Sequence, residues 1–515
     1  MPVQQIEPPL DCDEIQGNIL AGFNKDHQTL IFFRLRDDLV AARGWLAELT
    51  PDIASTTEVR QFNELFKLVN SRRDSRHRGE RGTVEATWVN AAFTYGGLAR
   101  LQAENLDAFP DAFRAGMAAR AASIGDVGDN APDRWVFGAP SSIDGVIIVA
   151  ADSAEDLNRE VAREHRLLAR HGGAVVYEQP GRARTDLPGH EHFGFKDGIS
   201  QPGIRGFTEP SGLDPDQGQP GQDLIWPGEF ILGYPRQKPA PTPGYGQAAE
   251  PLTSMLDPTP GDIAVPQPDW AVNGSYLVVR RLRQDVPGFL TALNDFAQAQ
   301  APPSTAERIG AKLVGRYRSG APLEPVDGID DAAETLAGDP SRAHPELLQT
   351  EHINDFEYHA ADPDGRIVPL AAHIRKAYPR DEATIGGGEA DTQTHRLLRR
   401  GIPFGKPYKV GAPDNTPHGA IDYPLDRGLV FACYQTSIEQ QFEFVQSRWV
   451  NDPNFPKAGA GQDPVISQNT ASRSFAMPDG QPALLELLKQ WVTTTGGEYF
   501  FQPSISALER LSDGG

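Results

Sequence analysis

A chain of 515 residues is long enough to bury a large core and to divide into two or more units. Its 48 basic and 70 acidic residues leave a net charge of -22, which repels phosphate backbones and anionic lipid and argues against nucleic-acid or membrane partners. Two cysteines, Cys12 and Cys433, are too few for a disulfide framework or a thiolate metal cluster.

The N-terminal run MPVQQIEPPLDCDEIQGNILAGF has no basic start followed by an apolar stretch. No later uncharged apolar run approaches the roughly 18 residues a membrane span needs. The expectation is a cytoplasmic protein, with secretion after processing left open.

In chain order, TLIFFRLR at 29–36 reads as a buried strand and DLVAARGWLAELT at 38–50 as a helix. TWVNAAFTYGGL at 87–98 is a strand running into helical material, and GVIIVAAD at 145–152 is a third strand. The stretch 153–172 starts on a serine cap and stops at glycine, as a helix does, and AVVYEQ at 174–179 closes the set. This β-α-β-β-α-β order is the ferredoxin-like arrangement, a fold of the α+β class.

The pattern recurs more loosely in a strand at 275–283, a helix at 285–300, a strand at 428–435, a helix at 436–450 and a strand at 497–502. Between the two sets the chain is dense in proline and glycine, which forbids long regular elements. The expected division is therefore a half-domain at 1–207, an ordered connector at 208–270 that buries Trp226, Phe230, Ile231 and Tyr234, and a second half-domain at 271–515.

Of the twelve histidines, His190 and His192 form an alternating pair able to share one strand face, but a metal site wants further ligands, so a hydrogen-bonded structural role is the stronger reading. His373, in VPLAAHIRKAYPR at 368–380, has an apolar approach and cations after it at Arg375, Lys376 and Arg380. A buried haem asks for that combination: one nitrogen for iron, apolar walls, and positive charge for its propionates. Taken alone, a satisfied core histidine is the better reading. In GFKDG at 194–198, glycines bracket Asp197 and leave its carboxylate uncrowded; an ordinary turn is an equal reading. Arg399 and Arg400 precede an apolar GIPFG turn, where a solvated face is the usual meaning of paired arginines. In the buried strand after them, Leu429 and Phe431 share one face.

Together, IQGNILAGF at 15–23, GFKDGISQP at 194–202, AAHIRK at 371–376, RRGIPFG at 399–405 and LVFACYQ at 429–435 resemble the dye-decolourising peroxidases, nearly end to end and in the family's order. The resemblance is to the larger bacterial and fungal members. It implies two ferredoxin-like halves with facing antiparallel sheets and one haem b held mainly by the C-terminal half. It further implies that His373 is the axial iron ligand, Asp197 the distal acid, and Arg399 the distal arginine, with Arg400 as the alternative register. Asp463 matches the proximal partner of the histidine, with Glu439 second. Leu429, Phe431, Gly198, Ile199 and Arg375 are the remaining haem contacts it implies. The family often has asparagine or serine where this chain has Gly401, which removes a possible hydrogen-bonding side chain.

The implied activity is peroxide-dependent oxidation of dyes and phenolic or other aromatic compounds. An aspartate in the distal role stays a base in acid, where a histidine would be protonated, so acid pH is expected to favour it. Trp449 and Tyr408 are candidate relays to bulky donors, although packing is the commoner fate of such residues. Mn²⁺ as a further one-electron donor is allowed by acidic runs such as DGIDDAAE at 327–334. The alternative is a haem-binding or porphyrin-iron-handling protein without peroxidase turnover, which would need neither Asp197 nor Arg399.

Overall fold

The computed structural model describes residues 9–71, 85–139, 143–239, 259–300, 303–323, 339–359, 361–382, 384, 388–409, 426–468, 473–477, 484–487 and 489–514. The acidic run at 327–334 lies outside them.

The N-terminal half opens with β1 (His27–Arg34), followed by α1 (Leu39–Leu49), α2 (Thr56–Ser71), β2 (Thr87–Phe93), β3 (Gly145–Ala151), α3 (Ala154–Arg170) and β4 (Ala174–Arg182). Both sheet-packing helices start where the sequence says they should. The Asp38 carboxylate accepts the Val40 and Ala41 amides at the start of α1, and the Ser153 hydroxyl accepts the Asp156 amide at the start of α3. Helix α2 has no counterpart in the expected element order.

The C-terminal half contains β5 (Ser275–Gln284), α4 (Val286–Ala299), α5 (Ala306–Val314), α6 (His373–Ala377), β6 (Leu398–Arg399), β7 (Ile402–Phe404), β8 (Gly428–Gln435) and β9 (Val492–Gln502). After β8 the chain winds into π-helical turns at Ile438–Phe442 and Val445–Val450. The connector is partly regular, with paired short strands at Gln217–Gln219 and Gln222–Ile225, and it buries Trp226, Phe230 and Ile231.

One antiparallel sheet runs β6-β8-β5-β9-β2-β3-β1-β4, with β7 also on β8. Each half repeats the same spatial order, its first strand lying between its third and fourth. The halves join where Phe501 of β9 pairs with Phe93 of β2. At the far ends, β7 comes against β4 so closely that a Cβ on Gly181 would lie 2.5 Å from Ile402 Cγ2. The sheet thus curls round on itself, bringing the halves face to face.

Strand alternation sorts the side chains into two cores. Leu30, Phe32, Ile148, Leu277, Val279 and Phe500 fill the space between the halves. Their neighbours Ile31, Phe33, Ile147 and Val149 pack outward on Trp45 and Leu46 of α1 and Leu167 of α3. Each such side chain contributes about 1.5–3 kcal/mol when fully buried. Leu429 and Phe431 of β8 lie on the outward face, and both are only partly covered. Among the described residues no helix is long and apolar enough to cross a membrane.

Candidate active site

A deep, mainly apolar cavity lies over that outward face of β8, between α6, the π-helical turns and the loop 191–200. His373 opens α6 and lines it. Its Nδ1 lies 2.7 Å from Asp463 Oδ2. The other Asp463 oxygen accepts the Val465 and Ile466 amides at 2.7 and 2.9 Å, and the side chain is wholly enclosed. A carboxylate fixed in this way makes Nδ1 the protonated nitrogen. Among the described residues Nε2 forms no hydrogen bond, so it keeps its lone pair, on a ring 28% exposed. Burial opposes charge on this imidazole, but the charge and hydrogen bond of Asp463 outweigh it, and the pKa of His373 is raised.

In the same cavity, Asp197 and Arg399 meet at 3.1 Å, with side chains 37% and 33% exposed. Gly194 and Gly198 take positive φ values of 96° and 76°, which lets the loop turn sharply on each side of Asp197. The Gly198 amide donates to Asp197 Oδ1 at 2.6 Å, and Arg399 Nη2 donates to the Ser200 carbonyl at 3.0 Å. Gln201 acts as a surrogate strand: its amide donates to the Arg399 carbonyl at 2.9 Å and accepts the Arg399 N–H at 3.3 Å. Leu429, Phe431, Gly198 and Ile199 line the same cavity.

Other expected residues lie elsewhere. Arg400 points away, donating to the carbonyls of Asn18, Ile19 and Leu20, so it anchors the IQGNILAGF segment while Arg399 faces the cavity. Arg375 is not among the lining residues, a correction to its expected role as a propionate cation. It is fully buried and neutralised by Asp362 and Glu382 at 3.1 and 2.5 Å. Glu439 accepts the Ala112 amide at 2.9 Å, and the His373 partner is Asp463. Trp449 is a buried wall of the cavity, stacked on Phe455, rather than a surface residue. Tyr408 is partly covered against the Phe289 cluster, beside Arg427. A Cβ on Gly401 would lie 2.7 Å from the Val430 carbonyl, which explains why this chain has no side chain there.

Arg316 is a cation the sequence did not mark, whereas Arg380 was expected, with Arg375 and Lys376, among the cations for the propionates. Arg316 and Arg380 line the cavity and are buried. Arg316 donates to the Gly320 and Ile353 carbonyls and to Asn354 Oδ1, and Arg380 to the Asn354 and Phe356 carbonyls. Among the described residues neither forms an ion pair. Burial and the neighbouring Arg380 lower the pKa of Arg316 to about 9. A buried cation such as Arg316, with no carboxylate paired to it among the described residues, is costly, and a ligand bearing carboxylates relieves that cost. The signal for Arg380 was the HIRKAYPR run; Arg316 lies in a loop with no pattern to mark it.

The residues present therefore suit an iron porphyrin: the imidazole Nε2 of His373, apolar walls from Leu282, Leu429, Phe431 and Val492, and the guanidiniums of Arg316 and Arg380 for propionates.

Comparison with known proteins agrees with this chemistry. The DyP dimeric alpha+beta barrel domain matches residues 14–185, and the C-terminal region of Dyp-type peroxidases matches residues 312–460. Dye-decolorizing peroxidase msp1 of Mycetinis scorodonius is 33% identical, over 98% of this chain and 88% of its own. Multifunctional dye peroxidase DyP2 of an Amycolatopsis species is 31% identical, over 97% and 95%. The structure of an ancestral D-type dye decolorizing peroxidase superposes with a TM-score of 0.77 at 32% identity, covering 98% of this chain and 99% of the other. The chain belongs to the dye-decolourising peroxidase family.

Proposed function

We propose that the chain binds one haem b and uses hydrogen peroxide to oxidise dyes and phenolic or other aromatic donors. The observation that carries this reading is that the Asp197–Arg399 pair and His373, held by Asp463, line one cavity. His373 would hold the iron, Arg316 and Arg380 the propionates, and Leu429 and Phe431 the macrocycle. Bound there, the haem supplies the iron at which the O–O bond of peroxide is cleaved and two oxidising equivalents are stored.

The chain's own residues handle the protons. Asp197 accepts the proton from the inner peroxide oxygen and returns it to the outer one, which departs as water. Arg399 holds the carboxylate in place and stabilises negative charge developing on the departing oxygen. Asp463 draws on the Nδ1 proton of His373, which makes Nε2 a stronger donor to iron.

Haem carriage or iron release without turnover is the weaker reading, because it leaves the Asp197–Arg399 pair without a task and the relatives matched along the whole chain bear peroxidase names. Mn²⁺ as an added donor rests on the acidic composition alone. Among the described residues no group of three or more His, Cys, Asp or Glu is placed to hold a metal ion.

The test is rapid mixing of the ferric holoenzyme with peroxide, followed optically. Asp197→Ala should retain the Soret band and slow the first spectral change by roughly 10²–10⁴-fold, the usual worth of a general acid–base. An unchanged rate removes Asp197 from the role, and a purified protein that takes up no haem removes the whole reading.

A further inference from the structure

Lys376, which the sequence placed with the cations for the propionates, is not among the residues lining the cavity. It follows His373 by three positions on α6 and is fully buried. Its Nζ donates to the Asp452 carbonyl at 2.7 Å and to the Phe455 carbonyl. Those carbonyls belong to the loop that leaves the π-helical turns and returns to Asp463. The Gly461 amide closes that loop on the Pro453 carbonyl at 2.9 Å, and the Asp463 amide closes it on the Val450 carbonyl at 3.1 Å. One side chain thus ties the helix that presents His373 to the loop that presents its partner.

A second buried cation reaches the same segment. Arg473 Nη1 donates to the Ser467 hydroxyl at 3.1 Å, that hydroxyl donates to the Asp463 carbonyl at 2.5 Å, and Arg473 Nη2 donates to the Lys489 carbonyl. Among the described residues neither Lys376 nor Arg473 forms an ion pair. Their acceptors are carbonyls and a hydroxyl, which orient a cation without neutralising it. Burial lowers the pKa of Lys376 to about 7 and lowers that of Arg473, and the charge of Asp463 works against the fall in each case. The Asp463 side chain is itself wholly enclosed, so these charges act on one another through a medium that screens far less than water.

We infer that Lys376 and Arg473 are positioning residues of the proximal side: they fix the segment that holds Asp463 on His373, and their charges offset part of the charge of that carboxylate. Asp463 then draws less on the Nδ1 proton, and Nε2 is a weaker donor to iron than the His373–Asp463 pair alone would make it. The strength of the axial ligand is set in part by two cations outside the cavity lining. This rests on the reading of His373 as the iron ligand.

The experiment removes each charge in the haem-loaded enzyme, by Lys376→Met and by Arg473→Gln, at about pH 5, where Lys376 carries its proton. Spectroelectrochemistry reads the haem reduction potential, and resonance Raman reads the iron–imidazole stretching band of the ferrous enzyme. Without one cation Asp463 pulls harder on His373, which favours ferric iron. The relative affinity of the two iron states should shift roughly tenfold, lowering the potential by about 60 mV, and the band should move to higher frequency. Lys376→Arg, which keeps the charge, should stay near the wild-type values. A merely mechanical tether predicts the opposite sign, because a slackened Asp463 acts like a lost carboxylate and raises the potential. A potential that rises or stays put in a folded variant overturns the inference, as does failure of both variants to fold with haem, which would make the cations structural. A wild-type enzyme without an iron–imidazole band removes the reading of His373; a wild-type band that the variants leave in place removes only the role of the cations.

Discussion

Two adjacent arginines show how little a residue's type says about its task. Arg399 and Arg400 sit side by side, and strand geometry sends one to the cavity and the other to three backbone carbonyls. Arg400→Ala should leave those buried acceptors unsatisfied and cost about 2–4 kcal/mol of stability, measured by denaturant unfolding, with peroxide chemistry retained in the folded fraction. Arg399→Ala should do the reverse, leaving the unfolding midpoint nearly unchanged while the peroxide reaction slows roughly 10²-fold or more. If the two variants behave alike, the division of labour is wrong. Asp463→Asn tests the proximal side. Loss of the carboxylate charge should raise the haem reduction potential, by about 60 mV for each tenfold change in the relative affinity of the two iron states, and spectroelectrochemistry reads that directly. These roles were legible only through motif order, because Asp463 meets His373 across 90 positions and no local pattern links them. Arg375 misled because nearness in sequence to the iron ligand placed it near the propionates, while Asp362 and Glu382 claim it inside the fold.

At the scale of elements, the regular first half was readable because its strands are long apolar runs and its helices carry clear caps. The second half was looser for a physical reason. Its second strand is broken into Leu398–Arg399 and Ile402–Phe404, too short for either piece to show a period of two, and the break is where the distal arginine sits. The helix after β8 is wound partly at π pitch, so its cavity-lining residues Phe442, Val445 and Trp449 depart from the spacing of an ordinary helix. Gly401 holds the broken strand close to β8. Gly401→Asn should force the Val430 carbonyl aside, destabilise the fold by about 1–3 kcal/mol and slow the peroxide reaction by shifting Arg399. Wild-type stability and rate in that variant would mean that the close approach is not what keeps this position bare.

At the scale of the molecule, net charge and burial together set an acid-side stability maximum. Burial, followed by the charges of Asp223, Glu357 and Asp381, raises the pKa of Glu389 to about 8, and burial raises that of Glu498 to about 7. A carboxyl whose folded pKa lies above its unfolded value binds its proton more tightly when folded. That contribution is complete below the unfolded pKa near 4.5 and is lost as pH rises through 7 to 8. His192 acts in the opposite sense: burial lowers its pKa from 6.5 to about 4, so its contribution is intact above 6.5 and is lost as pH falls towards 4. The carboxyls outnumber the imidazole, and the overall charge of -22 adds self-repulsion as pH rises. The holoenzyme should therefore melt highest near about pH 5 to 6 and several degrees lower at about pH 8. Scanning calorimetry at constant ionic strength checks this, and Glu389→Gln, which keeps the shape without the titration, should flatten the alkaline fall. A melting temperature that climbs steadily from acid to alkaline pH would show that the buried carboxyls do not govern the balance.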